Sequence, residues 1–147
     1  MLNHDYKEML SLLLENNVDF LLVGAYALAV HGFPRATGDI DIFVKPDSEN
    51  AQRVLKTLDE FGAPRDGLSA SDFETPGIVF QIGVAPRRID IITEIDGLTF
   101  EDASKGKDIV EIQELKIPVI SKLNLIRNKR ATGPDKDKID AENLEGN

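Results

Sequence analysis

The sequence predicts an α/β (α+β) chain organised around one mixed sheet flanked by helices. Three observations carry this expectation. Apolar runs of strand length alternate with segments whose apolar residues fall at helical spacing. Glycine, proline or asparagine punctuates most junctions. The chain has 147 residues, 41% of them hydrophobic, which is the size of one domain with one core. No repeat, linker or low-complexity tract divides it, so a single domain over residues 1–147 is expected.

The elements follow in order. Tyr6, Met9, Leu10, Leu13 and Leu14 recur at helical spacing behind Asn3 or Asp5 as cap, and the pattern stops at Asn16 and Asn17. Residues 20–23 form a buried-strand run closed by Gly24, and the alanine-rich residues 25–30 favour helix until His31, Gly32 and Pro34 end it. After a loop, residues 39–44 alternate as a strand. Asp47 or Ser48 then caps a helix carrying Ala51, Val54, Leu55, Leu58 and Phe61, stopped by Gly62. The eight residues between Pro64 and Phe73 are expected to form a polar loop, and strands are expected over 78–84 and 88–93. Beyond Gly97 come a short turn or helix near 100–103 and extended pieces at 109–112 and 117–120. Ser121 caps a helix bearing Leu123, Leu125 and Ile126, and Gly133-Pro134 separates it from a last helix over 136–144.

Composition excludes several function classes. Seventeen basic side chains face 26 acidic ones, a net charge of −9, so the chain is no general binder of phosphate backbones. Without cysteine there is no disulfide, thiolate nucleophile or Cys-based zinc site, and two histidines make a His-rich metal site implausible. Any metal is expected on oxygen. No apolar run approaches the ~20 residues of a spanning helix, and the opening residues lack a secretory pattern. A cytoplasmic protein with no membrane partner is the expectation.

The most unusual stretch is residues 37–44, where Asp39 and Asp41 interrupt an apolar strand. Residues i and i+2 of a strand share a face at about 6.5 to 7 Å, so these carboxylates converge. Two ionised carboxylates on a half-buried face repel each other and are costly to desolvate, which points to a divalent cation, and oxygen ligands favour magnesium. Asp90 repeats the pattern in the strand Arg88-Ile89-Asp90-Ile91-Ile92. If the two strands are neighbours, three carboxylates face one pocket, enough for two metal ions ~4 Å apart as in phosphoryl and nucleotidyl transfer. The plain alternative is strand-end aspartates facing solvent.

Upstream, Gly24 closes a strand and opens a helix, a turn whose free backbone N–H groups suit a phosphate; a tight turn without ligand is the competing reading. Residues 121–138 carry six basic and two acidic side chains, either a phosphate-facing cluster or a solvated helix face. Arg35, ahead of Asp39, is a further phosphate candidate or a surface loop arginine. His31 reads as a helix-end side chain more readily than as a general base.

These residues resemble a known family. The run VGAYALAVHGFPRATGDIDIFV looks like the signature of the DNA polymerase beta-type nucleotidyltransferase superfamily: a glycine turn, a helix, a strand with Asp-x-Asp, and a third Asp on a later strand. The chain is similar to AbiEii-type toxins and other minimal bacterial nucleotidyltransferases, and the similarity continues through RIDIITEIDGLTFEDA and IPVISKLNLIRNKRATGPDKDKID. The resemblance implies a nucleotidyltransferase-like fold. It also implies that Asp39, Asp41 and Asp90 bind two Mg2+ ions and the nucleoside triphosphate, with Asp90 helping to deprotonate the acceptor hydroxyl. Gly24 and Ala25 would hold the phosphates, and Lys129, Lys136 and Asp137 match a later motif. Two departures stand out. Ala25 occupies a position usually held by glycine or serine, which removes a hydroxyl contact, and Pro134-Asp135 stand where relatives often carry an arginine.

Two functions follow as expectations. One is Mg2+-dependent transfer of a nucleoside monophosphate to a hydroxyl on RNA, protein or a small molecule. The other is nucleotide or partner binding without turnover, as in one half of a toxin-antitoxin pair. Few residues follow Ser121, so the acceptor site is expected to be completed by a second copy or an antitoxin-type partner.

Overall fold

The structure of the chain is a computed structural model that describes residues 2–33, 38–64 and 67–132. Twelve elements alternate along the described residues: α1 (His4–Glu15), β1 (Phe20–Val23), α2 (Gly24–Val30), β2 (Ile40–Val44), α3 (Ser48–Phe61), α4 (Ala70–Glu74), β3 (Val79–Ile82), β4 (Ile89–Ile92), α5 (Phe100–Ser104), β5 (Asp108–Ile112), β6 (Leu115–Val119) and α6 (Lys122–Ala131). The strands form one six-stranded sheet in the order β3-β4-β2-β1-β6-β5. It is mixed: β2 pairs β4 and β1 pairs β6 in parallel, while β1–β2, β3–β4 and β5–β6 are antiparallel. This is the α+β architecture expected from the alternation of runs.

Local chemistry explains the boundaries. Asn3 accepts the Tyr6 N–H and starts α1, Asp47 accepts the Asn50 N–H and starts α3, and Ser121 accepts the Asn124 N–H and starts α6. Gly62 ends α3 with φ 85°, a left-handed cap. One difference from the sequence reading is α4, which begins inside the expected polar loop. Ser69 and Asp72 form a capping box, and Phe73 is buried edge-on to Phe80 with centroids 6.2 Å apart. That serine-to-aspartate spacing was visible, but five residues are too few for helical periodicity to register. β3 is shorter than expected and β6 begins earlier. The helix expected over 136–144 lies outside the described residues.

Strands β1, β2 and β4 are buried almost throughout, and with α1, α3 and the helical phenylalanines they make one core. Asn16 of α1 donates to Thr57 and Glu60 of α3, at 3.0 and 2.7 Å, and fixes that helix pair. Phe43 of β2 meets Phe100 of α5 at 5.1 Å, so α5 covers the face of β2 that also carries Asp41 two residues earlier. The Asn124 amide joins α6 to α5 by donating to the carbonyls of Asp102 and Lys105, each at 3.1 Å. Among the described residues no helix is long and apolar enough to cross a membrane.

Candidate active site

Strand direction assembles the site. Because β2 and β4 are parallel and in register, Asp41 lies directly beside Asp90. Partners in adjacent strands point to one face, and the Asp90 carboxyl is close enough to raise the pKa of Asp41. β1 runs the opposite way with Val23 opposite Asp41, which delivers Gly24 to the same end of the sheet. Gly24 has φ 68°, and a Cβ there would overlap the Asp41 carboxylate. Glycine therefore serves both the turn and the carboxylate's room. Ala25 follows in the first turn of α2.

Asp39 stands just ahead of β2. Its Oδ1 accepts the Arg88 backbone N–H at 3.0 Å, and its Oδ2 pairs with Arg88 Nη2 at 3.1 Å. The same guanidinium donates from Nε and Nη2 to the two oxygens of Asp90, at 2.7 and 3.1 Å. One arginine thus bridges the first and third carboxylates, a charge-assisted fork. Sequence reasoning did not single out Arg88. The signal was present: it lies two residues before Asp90 in the run expected to be extended, hence on the same face.

Asp41 carries the strain of the cluster. Burial first, then the hydrogen bond with Asp90 and its charge, push the Asp41 carboxyl up from 3.8 to about 6, while the Lys129 ammonium pulls it down. Lys129, on α6, is thus near enough to act on Asp41 through its charge. Arg88, hydrogen-bonded to Asp90, has its pKa raised further. Beneath the site Tyr6 is buried, and its hydroxyl donates to the carbonyl of Gly38. Burial, with Tyr26 and Asp39 nearby, pushes that hydroxyl to about 12, so it remains a donor.

The three expected carboxylates are thus brought to one end of the sheet, with Gly24, Ala25 and Lys129 around them. Arg35, Lys136 and Asp137 lie outside the described residues. His31 is held elsewhere, with Nε2 2.8 Å from the carbonyl oxygen of Ile120. Among the described residues no three His, Asp or Glu side chains are arranged to hold a metal ion, and Asp39 is paired with Arg88. Asp41 and Asp90 fit a hard divalent cation in their chemistry: both offer only oxygen, and their mutual repulsion calls for positive charge.

The fold is that of nucleotidyltransferases. A candidate nucleotidyltransferase from Thermotoga maritima superposes with a TM-score of 0.60 at 21% identity, over 99% of this chain and 94% of that one. The lincomycin-bound lincosamide antibiotic adenylyltransferase LnuA gives a TM-score of 0.58 at 17% identity, over 99% and 97%. The antibiotic-resistance factor ANT(2'')-Ia gives 0.61 at 13% identity, over 95% and 80%. No protein-family model and no curated protein sequence matches the chain.

Proposed function

We propose that the chain is a nucleotidyltransferase, moving a nucleoside monophosphate from a nucleoside triphosphate to an acceptor hydroxyl. The observation that carries this reading is the Asp41–Asp90 contact across parallel strands, with Asp41 pushed up to about 6. Two carboxyls forced together in a largely buried position weaken the free chain and suit a bound cation. The fold likeness supports the same class of chemistry.

In this reading Asp41 and Asp90 would hold Mg2+, with Asp39, now paired with Arg88, as the further oxygen ligand. Bound Mg2+ ions would acidify the acceptor hydroxyl and offset charge on the departing pyrophosphate. The acceptor oxygen bonds to the α-phosphorus as the bond to the β-phosphate's bridging oxygen breaks, and pyrophosphate leaves. The Asp41–Asp90 pair receives the acceptor's proton. The turn at Gly24 and Ala25 offers backbone N–H groups to the triphosphate, and Lys129 adds positive charge. Arg35, Lys136 and Asp137 are further phosphate contacts on the strength of the sequence resemblance. Of the acceptor classes, a small molecule is favoured over RNA or protein, since LnuA, a lincosamide antibiotic adenylyltransferase, is matched over 97% of its length by this chain.

A second reading, nucleotide or partner binding without turnover in the manner of an AbiEii-type toxin with its antitoxin, is favoured by Ala25 and by the hold of Arg88 on Asp39. Thermal denaturation with each of the four triphosphates, with and without Mg2+, tests the common core: ligand at a hundredfold its Kd adds about 2.7 kcal/mol. No shift with any triphosphate at millimolar concentration overturns the site assignment. Pyrophosphate release in the presence of small-molecule hydroxyl acceptors then separates turnover from binding alone.

A further inference from the structure

The strand ladder that aligns Asp41 with Asp90 ends at Ile40 and Ile89, where the Ile40 N–H donates to the Arg88 carbonyl at 3.0 Å. Gly38 and Asp39 lie beyond it, so the ladder alone does not place Asp39. The hydroxyl of Tyr6, 32 residues away in sequence and 1% exposed, donates to the Gly38 carbonyl and lies 3.3 Å from the Arg88 carbonyl oxygen. From the other side Gly38 abuts Pro86, whose carbonyl oxygen occupies the space a Cβ at residue 38 would need. The ring of Tyr6 meets Tyr26 edge-on, with centroids 5.8 Å apart and planes at 80°. Tyr26 stands two residues after Gly24 in the first turn of α2.

One side chain therefore touches each of the three segments that deliver the site: residues 24–26, 38–41 and 88–90. We propose that Tyr6 is a positioning residue for the carboxylate site, its hydroxyl extending the β2–β4 alignment past the ladder so that Asp39, Arg88 and Asp90 keep their spacing. The proposal rests on the reading of that site as a divalent-cation site. Tyr6 touches neither cation nor nucleotide; it acts through the backbone of Gly38 and Arg88. A partner that orients a ligand side chain typically changes metal affinity 10–100-fold when removed, although it makes no bond to the metal (on the order of these values).

The test uses Mn2+ alone as a spectroscopic stand-in for Mg2+, titrated into the full-length chain and read by electron paramagnetic resonance. Tyr6→Phe keeps the ring and its packing on Tyr26 and removes only the hydroxyl. Thr93→Val is the comparison: it removes a buried hydroxyl that donates to the Thr75 carbonyl at 2.7 Å, beyond the opposite end of β4. The expected result is Mn2+ affinity weakened about tenfold or more in Tyr6→Phe and unchanged in Thr93→Val. Amide exchange in the metal-free chain should also be faster at Ile40 in Tyr6→Phe than in wild type, with Ile91 unaffected. If wild type binds Mn2+ and Tyr6→Phe binds it equally well, this proposal alone is overturned. If wild type binds no Mn2+, the reading of the site falls and takes the proposal with it.

Discussion

The Asp41 carboxylate fills the space in which any side chain at Gly24 would begin. The turn from β1 into α2 and the second carboxylate of the site are thus one steric unit, and each restricts what the other position can hold.

Gly24→Ala should accordingly be destabilising by about 2 kcal/mol or more, since it adds a clash to a backbone at φ 68°. Gly62→Ala is the contrast: φ is 85° there but nothing lies within 4 Å of the added carbon, so only the conformational penalty of about 1 kcal/mol applies. Urea denaturation of the two variants measures the difference. Equal losses would show that Asp41 yields freely.

Asp41 also sets a pH dependence. Its carboxyl is raised from 3.8 to about 6 by burial and by Asp90, so between these values the folded chain binds more protons than the unfolded one. The stability associated with protonated Asp41 is complete below pH ~4 and is lost as pH rises through about 6. Asp41→Asn removes that loss. In EDTA the variant should match wild type near pH 4 and exceed it near neutrality by up to about 3 kcal/mol, while nucleotide transfer disappears. Thermal melts across that range check it; a variant less stable at neutral pH would point instead to a carboxylate satisfied by local donors.

Lys129 opposes this shift. Lys129→Met should move the Asp41 titration upward, read from the carboxyl carbon by NMR in the metal-free chain. A titration that stays in place would mean that Lys129 faces solvent rather than the carboxylates.

Arg88 balances Asp39 and Asp90 in the free chain. Arg88→Met should lower stability near neutral pH, because the Asp39 and Asp90 carboxylates lose their shared donor. Millimolar Mg2+ should raise the melting temperature of this variant more than that of wild type, since the cation replaces the missing charge. An equal response in both proteins would show that Mg2+ and Arg88 do not share a location.

Much of this organisation is legible in the chain itself. Aspartates at i and i+2 of an apolar run, and a third in a later run, stand out because side chains alternate along extended backbone and a carboxylate on a buried strand calls for a reason. Caps at Asn3, Asp47, Ser121 and Gly62 act within a few residues, so their chemistry is readable locally. The parallel register that seats Asp41 beside Asp90 and the antiparallel return that sets Gly24 against Asp41 join residues far apart in sequence. So do the fork from Arg88 onto Asp39 and Asp90 and the reach of the Tyr6 hydroxyl to Gly38. Patterning states which side chains share a face of one strand, whereas neighbours across strands are selected by how the whole sheet buries its apolar faces. The sequence alone therefore marked which carboxylates to watch, and the tertiary structure decided which of them meet and which groups hold and balance them.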